Sequence, residues 1–223
     1  MSKRNMKFID GEMVEYEILP LVSQYDKVLK QPCEEVDFEK IPGADVAYTS
    51  MSLMESVKHY NGLGLSANQV GIKLRMFAIQ MMDEGKVYCL INPKIINQSS
   101  VMQKVNEGCL SFPGLFLTIE RPNWVDMSFQ AANGEMMEKR FEGIYATCAL
   151  HELDHLNGKT FTELVPKTKL QIAMGKRKQN LKKVKRIRQQ EARLAKQAAK
   201  AQAQVAEKSK ENGAPDKFVL STD

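Results

Sequence analysis

Residues 45 to 60, DVAYTSMSLMESVKHY, set Val46, Met51, Met54 and Val57 at mostly helical intervals, a spacing that predicts an amphipathic helix stopped by Asn61-Gly62. His59, at the end of that run, has no companion ligand three or four residues away and reads as a surface residue. The pattern then shortens. RMFAIQM (75 to 81) and VYCLINP (87 to 93), the second closed by Asn92-Pro93, predict paired strands. WVDMSFQAA and EMMEKRFEG flank Asn133-Gly134, two residues that tolerate positive φ, and predict an antiparallel hairpin. Residues 144 to 156, IYATCALHELDHL, are apolar enough for a buried helix, with a left-handed cap at Asn157-Gly158. From Pro166 onward a thin stripe of Leu181, Val184, Ile187, Leu194, Ala198, Ala201 and Val205 among Lys, Arg and Gln predicts a long helix with little to bury. Beyond Asn212-Gly213-Ala214-Pro215 the composition predicts disorder.

Charge divides the chain at the same place. Through residue 166 there are 16 basic and 22 acidic residues, and beyond it 16 and 5, so an acidic body carries a basic tail. MSKRNMKFIDGEM has no apolar run of signal-peptide length, and no stretch approaches the roughly 18 consecutive apolar residues of a membrane span. Cys33, Cys89, Cys109 and Cys148 are scattered without CxxC spacing, which argues against a disulfide framework and for a reducing compartment. The expectation is a cytoplasmic protein without membrane attachment.

HELDH, at 151 to 155, holds two of the three histidines in the chain. Positions four apart share a helix face, with Cβ atoms about 5–6 Å apart, so His151 and His155 can reach one metal ion with Glu152 beside it. Two histidines leave a tetrahedral cation short of protein ligands. A third histidine in the metzincin pattern is replaced by Phe161, and a downstream glutamate would have to be Glu163, which is too close, or Glu191 in the basic tail. Upstream, EGCLSFP (107 to 113) offers Cys109, whose soft sulfur suits iron, cobalt, nickel or zinc. A free cysteine is also commonly a small core residue. In GLGLSANQ (62 to 69) the glycines permit close approach of an extended peptide, and Gln69 can aim an amide at a developing oxyanion; an ordinary turn is the alternative.

Taken in order, GLGLSANQ, EGCLSFP and HELDH resemble the signature of the peptide deformylases of the bacterial or bacteriophage type. The resemblance runs over about residues 10 to 166 and includes LKQPCEEV (29 to 36), LINP (90 to 93) and GKTFTEL (158 to 164). It implies an α+β fold, with antiparallel β-sheets packed around a central helix carrying HELDH, and a C-terminal basic helix. It implies a catalytic domain at 1–166, to which charge and composition add a basic helical extension at 167–211 and a disordered tail at 212–223. The activity implied is removal of the formyl group from N-formylmethionyl nascent peptides. Cys109, His151 and His155 would hold one divalent metal ion, natively Fe2+, with Zn2+, Ni2+ or Co2+ able to substitute. Glu152 would move the proton, and the Gln69 amide and the Leu110 backbone N–H would hold the oxyanion. Leu63, Gly64, Val105, Ile144 and Cys148 would bind the methionine end of the substrate, with the 62–66 segment paired to the peptide. Glu107 and Arg121 look like an ion pair under the cysteine loop, although Arg121 also fits a rim charge.

Three positions bear on specificity or depart from the family pattern. Ser66 stands where alanine is usual and Leu150 where glutamine is common, and Thr147 puts a hydroxyl toward the expected pocket. KRKQNLKKVKRIR (176 to 188) is an electrostatic footprint for RNA phosphates, and the resemblance implies ribosome docking by this helix of a monomeric enzyme; a solvated helix is the alternative. Two rival functions remain at this point: an HExxH zinc endopeptidase, and an inactive deformylase-like scaffold that binds the ribosome or RNA.

Overall fold

In the computed structural model, which describes residues 5–9 and 12–211, a short hairpin of β1 (Asn5–Ile9) and β2 (Glu12–Tyr16) leads into helix α1 (Gly43–His59). Of the predicted apolar stripe of α1, Val46, Met51 and Val57 are buried and Met54 is half-buried, while Leu53, outside the predicted set, is fully buried. Three serines are buried with it, and two of them work as acceptors: Ser52 Oγ takes Glu17 N–H at 3.1 Å and Ser56 Oγ takes Leu19 N–H at 2.9 Å. Positions that read as a polar face therefore tie the incoming chain to the helix. The helix stops where predicted, with Asn61 at φ 51° and Gly62 N–H bonded to Val57 O at 2.9 Å.

The next strands are β3 (Gly64–Ser66), β4 (Met76–Met81) and β5 (Lys86–Gln98), followed by β6 (Met102–Gly108), β7 (Phe116–Pro122), β8 (Trp124–Gln130) and β9 (Met136–Glu142). Five of them form one antiparallel sheet in the order β3-β4-β5-β8-β9, while β6 and β7 pair only with each other. Helix α2 (Gly143–Leu156) carries HELDH. Strand alternation divides the core between the two faces of the sheet. Phe77, Ile79 and Met81 pack with Ala146, Ala149, Leu153 and Leu156 of α2, whereas Met76 and Ala78 pack with Val46, Leu53 and Val57 of α1. Burial of each large side chain contributes about 1.5–3 kcal/mol, so this double coverage fixes α2 on the sheet.

Two sequence expectations change in detail. The strand expected to close at Asn92-Pro93 continues to Gln98, with register shifts between Ile91 and Lys94 and between Ile95 and Asn97. Asn92 absorbs the irregularity at φ 51°, and its side chain accepts Val36 N–H and donates to Val36 O and Gln130 Oε1. At the predicted hairpin only Gly134 takes positive φ, 85°. Its N–H bonds to Ala131 O and Ala131 N–H bonds to Glu135 O, which makes a type I turn followed by a left-handed glycine. After α2, Gly158 supplies the expected left-handed cap at φ 69°.

The chain divides into two compact units, Met1–Met174 and Gly175–Asp223. Helix α3 (Lys167–Glu211) begins in the first, where Leu170 and Ala173 join Leu115, Leu117, Ile119 and Phe161 in a small core. In the described part of the second unit α3 continues, and Leu181, Val184, Ile187 and Leu194 are exposed. The segment 212–223, expected to be disordered, lies outside the described residues. Among the described residues no helix is long and apolar enough to cross a membrane.

Candidate metal centre

One helical turn separates His151 from His155, and α2 presents both rings inward with centroids 5.0 Å apart. Cys109 follows β6 at a tight turn in which Phe112 N–H bonds to Cys109 O, and its Sγ lies 3.2 Å from His155 Nε2. The ligand atoms of Cys109, His151 and His155 all lie within 4.8 Å of one another. His151 Nε2, His155 Nδ1 and Glu152 Oε2 are buried without a hydrogen-bond partner among the described residues. Leaving such atoms unsatisfied costs about 1–3 kcal/mol each, and a cation among the sulfur and the two imidazoles would relieve that penalty at His151 Nε2, with His155 presenting Nε2, the nitrogen beside Cys109 Sγ, to the same ion. The residues present therefore fit a tetrahedral metal ion with one position left open.

The surrounding shell fixes the ligands. Glu107 Oε2 accepts His151 Nδ1–H at 2.9 Å, which leaves Nε2 to face the centre. Arg121 grips the same carboxylate through Nε and Nη2 at 2.7 and 3.0 Å, and donates from Nη1 to Asp154 Oδ2 at 2.6 Å. At 7% exposure Arg121 is part of the interior, not a rim charge. Burial works against the Glu107 charge, but the hydrogen bonds from His151 and Arg121 outweigh it and hold the carboxyl below its usual range. Burial likewise opposes charge on both imidazoles. In His151 the neighbouring Cys109 sulfur, the hydrogen bond to Glu107 and the nearby Glu152 carboxylate overcome it and raise the pKa to about 10, whereas His155, buried and facing His151, stays well below the histidine range. Burial pushes the Glu152 carboxyl up to about 7.

Gln69 sits in a short 3-10 turn after β3, where its Oε1 accepts from Ser66 N–H and Ser66 Oγ, each at 2.9 Å. This turns Nε2 toward Cys109 Sγ at 3.4 Å and Ser111 Oγ at 3.1 Å. Asn68 Nδ2 donates to His155 O at 2.6 Å and ties the same turn to α2. Ser111, Asn68 and Asp154 were not among the residues singled out from the sequence. All three lie inside the quoted motifs, and a polar side chain within each motif was the available signal.

Leu63, Gly64, Val105, Ile144 and Cys148 line one cavity of about 460 Å³ together with Cys109, Leu110, His151 and Glu152. The predicted pocket residues are therefore neighbours, with Cys148 buried and Ile144 59% exposed at the mouth. Thr147 also lines it, as expected, whereas Gln69 and His155 are not among its lining residues. A larger groove of about 860 Å³, lined by Met102, Ile119, Leu150 and Asp154 among others, contains none of the three ligand residues.

The sequence matches the polypeptide deformylase family over residues 18–171. The peptide deformylase of Bartonella henselae is 35% identical over 166 residues, covering 73% of this chain and 93% of that protein. The structure of a Synechococcus elongatus peptide deformylase in complex with actinonin is 34% identical, covers 71% of this chain and 85% of its own, and superposes with a TM-score of 0.65. A Met-Ala-Ser-bound peptide deformylase from Acinetobacter baumannii is 28% identical, covers 66% of this chain and 98% of its own, and gives a TM-score of 0.61. With the fold, the buried sulfur–imidazole cluster and these similarities in agreement, the chain belongs to the polypeptide deformylases, hydrolases that remove the N-formyl group from newly made peptides.

Proposed function

We propose that this deformylation takes place at the Cys109–His151–His155 centre, with Glu152 as the proton-transferring group and Fe2+ as the native ion. The observation that carries the reading is the buried carboxylate oxygen of Glu152, which has no hydrogen-bond partner among the described residues, beside three ligand atoms that lie within 4.8 Å of one another. Deformylases are metalloenzymes, and a divalent cation held by Cys109, His151 and His155 supplies Lewis acidity that activates water and polarises the formyl oxygen. Glu152 takes a proton as the water oxygen attacks the formyl carbon, then returns it to the nitrogen as the C–N bond breaks. The products are formate and a free amino terminus. The Gln69 amide and the Leu110 N–H hold the negative charge that develops on the formyl oxygen.

The substrate enters along β3, an edge strand whose main-chain groups pair with an extended peptide without reading its sequence. Leu63, Gly64, Val105, Ile144 and Cys148 take the methionine side chain. We read residues 1–166 as the catalytic body of a cytoplasmic monomer and 167–211 as a basic extension that docks to ribosomal RNA, which brings the enzyme to emerging chains. The endopeptidase and inactive-scaffold alternatives have no support from the family match.

The test is formate release from formyl-Met-Ala-Ser by protein purified anaerobically with ferrous iron, run beside Glu152→Ala with its metal content checked. Loss of about 10²–10⁴-fold in the metal-loaded variant is expected for removal of a general base. A folded, metal-loaded wild type that releases no formate overturns the reading.

A further inference from the structure

Gln103 belongs to none of the motifs, yet it occupies a defined place beside the substrate cavity. Along β6 the side chains of Gln103, Val105 and Glu107 are the more buried ones of an alternating pattern and face α2, while Met102, Lys104 and Asn106 point outward. Glu107 reaches His151. Val105 lines the cavity. Gln103 Nε2 donates to Gly143 O at 2.8 Å and to Thr147 Oγ1 at 3.3 Å, and the Thr147 hydroxyl itself donates to Gly143 O at 3.2 Å. Both amide hydrogens of Gln103 are thereby used, and the Thr147 hydroxyl is satisfied without help from anything in the cavity.

The spacing of these bonds is matched on the two elements. From Gly143 to His151 the helix rises ~12 Å, and from Gln103 to Glu107 the strand advances ~13 Å. Strand and helix are thus fastened at both ends of one short interval, with Val105 between the fastenings and opposite Ile144, Thr147 and Cys148 of the cavity wall. The sheet holds the first turn of α2 from its other side, where Gly143 N–H bonds to Asn123 O at 2.8 Å, the Tyr145 hydroxyl accepts Met82 N–H at 3.0 Å and Ala146 is buried, so the Gln103 bonds are what tie β6 to that turn.

We propose that Gln103 is a positioning residue that sets the width of the side-chain pocket, by holding the first turn of α2 at a fixed distance from β6. The proposal rests on the reading of this cavity as the methionine pocket. Gln103 touches no substrate and acts through Thr147 and Gly143. A pocket held at this width accepts an unbranched thioether and excludes an aromatic ring; released at one end, it opens.

The experiment compares Gln103→Met, of similar length without donors, and Gln103→Glu, which keeps the shape but sets a carboxylate against Gly143 O. For each, kcat and KM are measured on formyl-Met-Ala-Ser and formyl-Phe-Ala-Ser, alongside the melting temperature. Both variants are expected to raise KM for the methionine peptide with kcat within about twofold, and to cut the Met-to-Phe ratio of kcat/KM about tenfold. Variants that melt earlier with an unchanged ratio make Gln103 a purely structural tie and overturn the proposal. So does a fall in kcat at constant KM, which places the effect at the metal centre. No formate from the wild type overturns the site reading, and the pocket-width proposal with it.

Discussion

At Gly64 there is no room for a β-carbon: one built there stands 2.6 Å from Cys148 Sγ and 2.6 Å from Glu152 Oε1. Both belong to α2, whose packing against the sheet leaves it little freedom to yield, so the carboxylate must turn away. Gly64→Ala is therefore expected to lower kcat/KM for formyl-Met-Ala-Ser about a hundredfold or more, with the melting temperature falling by about 2–10 °C from the overpacking. A variant with near-normal turnover would show that Glu152 need not sit where it does. At this scale the sequence is legible where chemistry follows local spacing. His151 and His155 are one turn apart, Glu152 lies between them, and each is determined by its neighbours along one helix. The partners of those groups are not legible, because they arrive from distant strands. Nothing near Gln103 says that it meets Thr147, and nothing near Arg121 says that it grips both Glu107 and Asp154.

Among the elements, those with a strong period were readable. Helices α1 and α2 lie within two residues of their predicted starts, and the β8–β9 hairpin falls on its turn signal. Strand β6, MQKVNEG, escaped because Val105 is its one strongly apolar inward residue; its other inward positions are Gln103 and Glu107, polar groups whose burial depends on bonds to α2. The long strand β5 was cut short because Asn92-Pro93 is a stop signal locally, which hydrogen bonds to Val36 and Gln130 override. For α3 the readable feature is charge. Replacing Lys182, Lys183, Lys185, Arg186 and Arg188 with Gln, which keeps helix propensity, is expected to weaken binding to ribosomes and flatten its salt dependence. Formate release from a tripeptide should stay within about twofold of wild type. If wild-type binding does not fall as salt is raised, the docking role is lost and α3 is a solvated helix.

For the molecule as a whole, the sheet has a core on each face, α1 closing one and α2 the other. The β6–β7 pair stands outside that arrangement, since it shares no ladder with the five-stranded sheet. It meets α2 through the Glu107–Arg121–Asp154–His151 network and the Gln103 bonds, and Cys109 stands at its tip. An ion bound to Cys109 and the two histidines would then be a cross-link between separately built parts, removed by chelation as a disulfide is removed by reduction. Chelation is expected to speed amide exchange in residues 102–122 well before it does so in β4 or α2, an order that exchange with mass-spectrometric readout resolves. Equal acceleration everywhere, or none, would mean that the ion fastens nothing. Loss of metal would thus mark the enzyme for proteolysis at one hairpin, giving a cell a way to clear demetallated copies while the loaded ones persist.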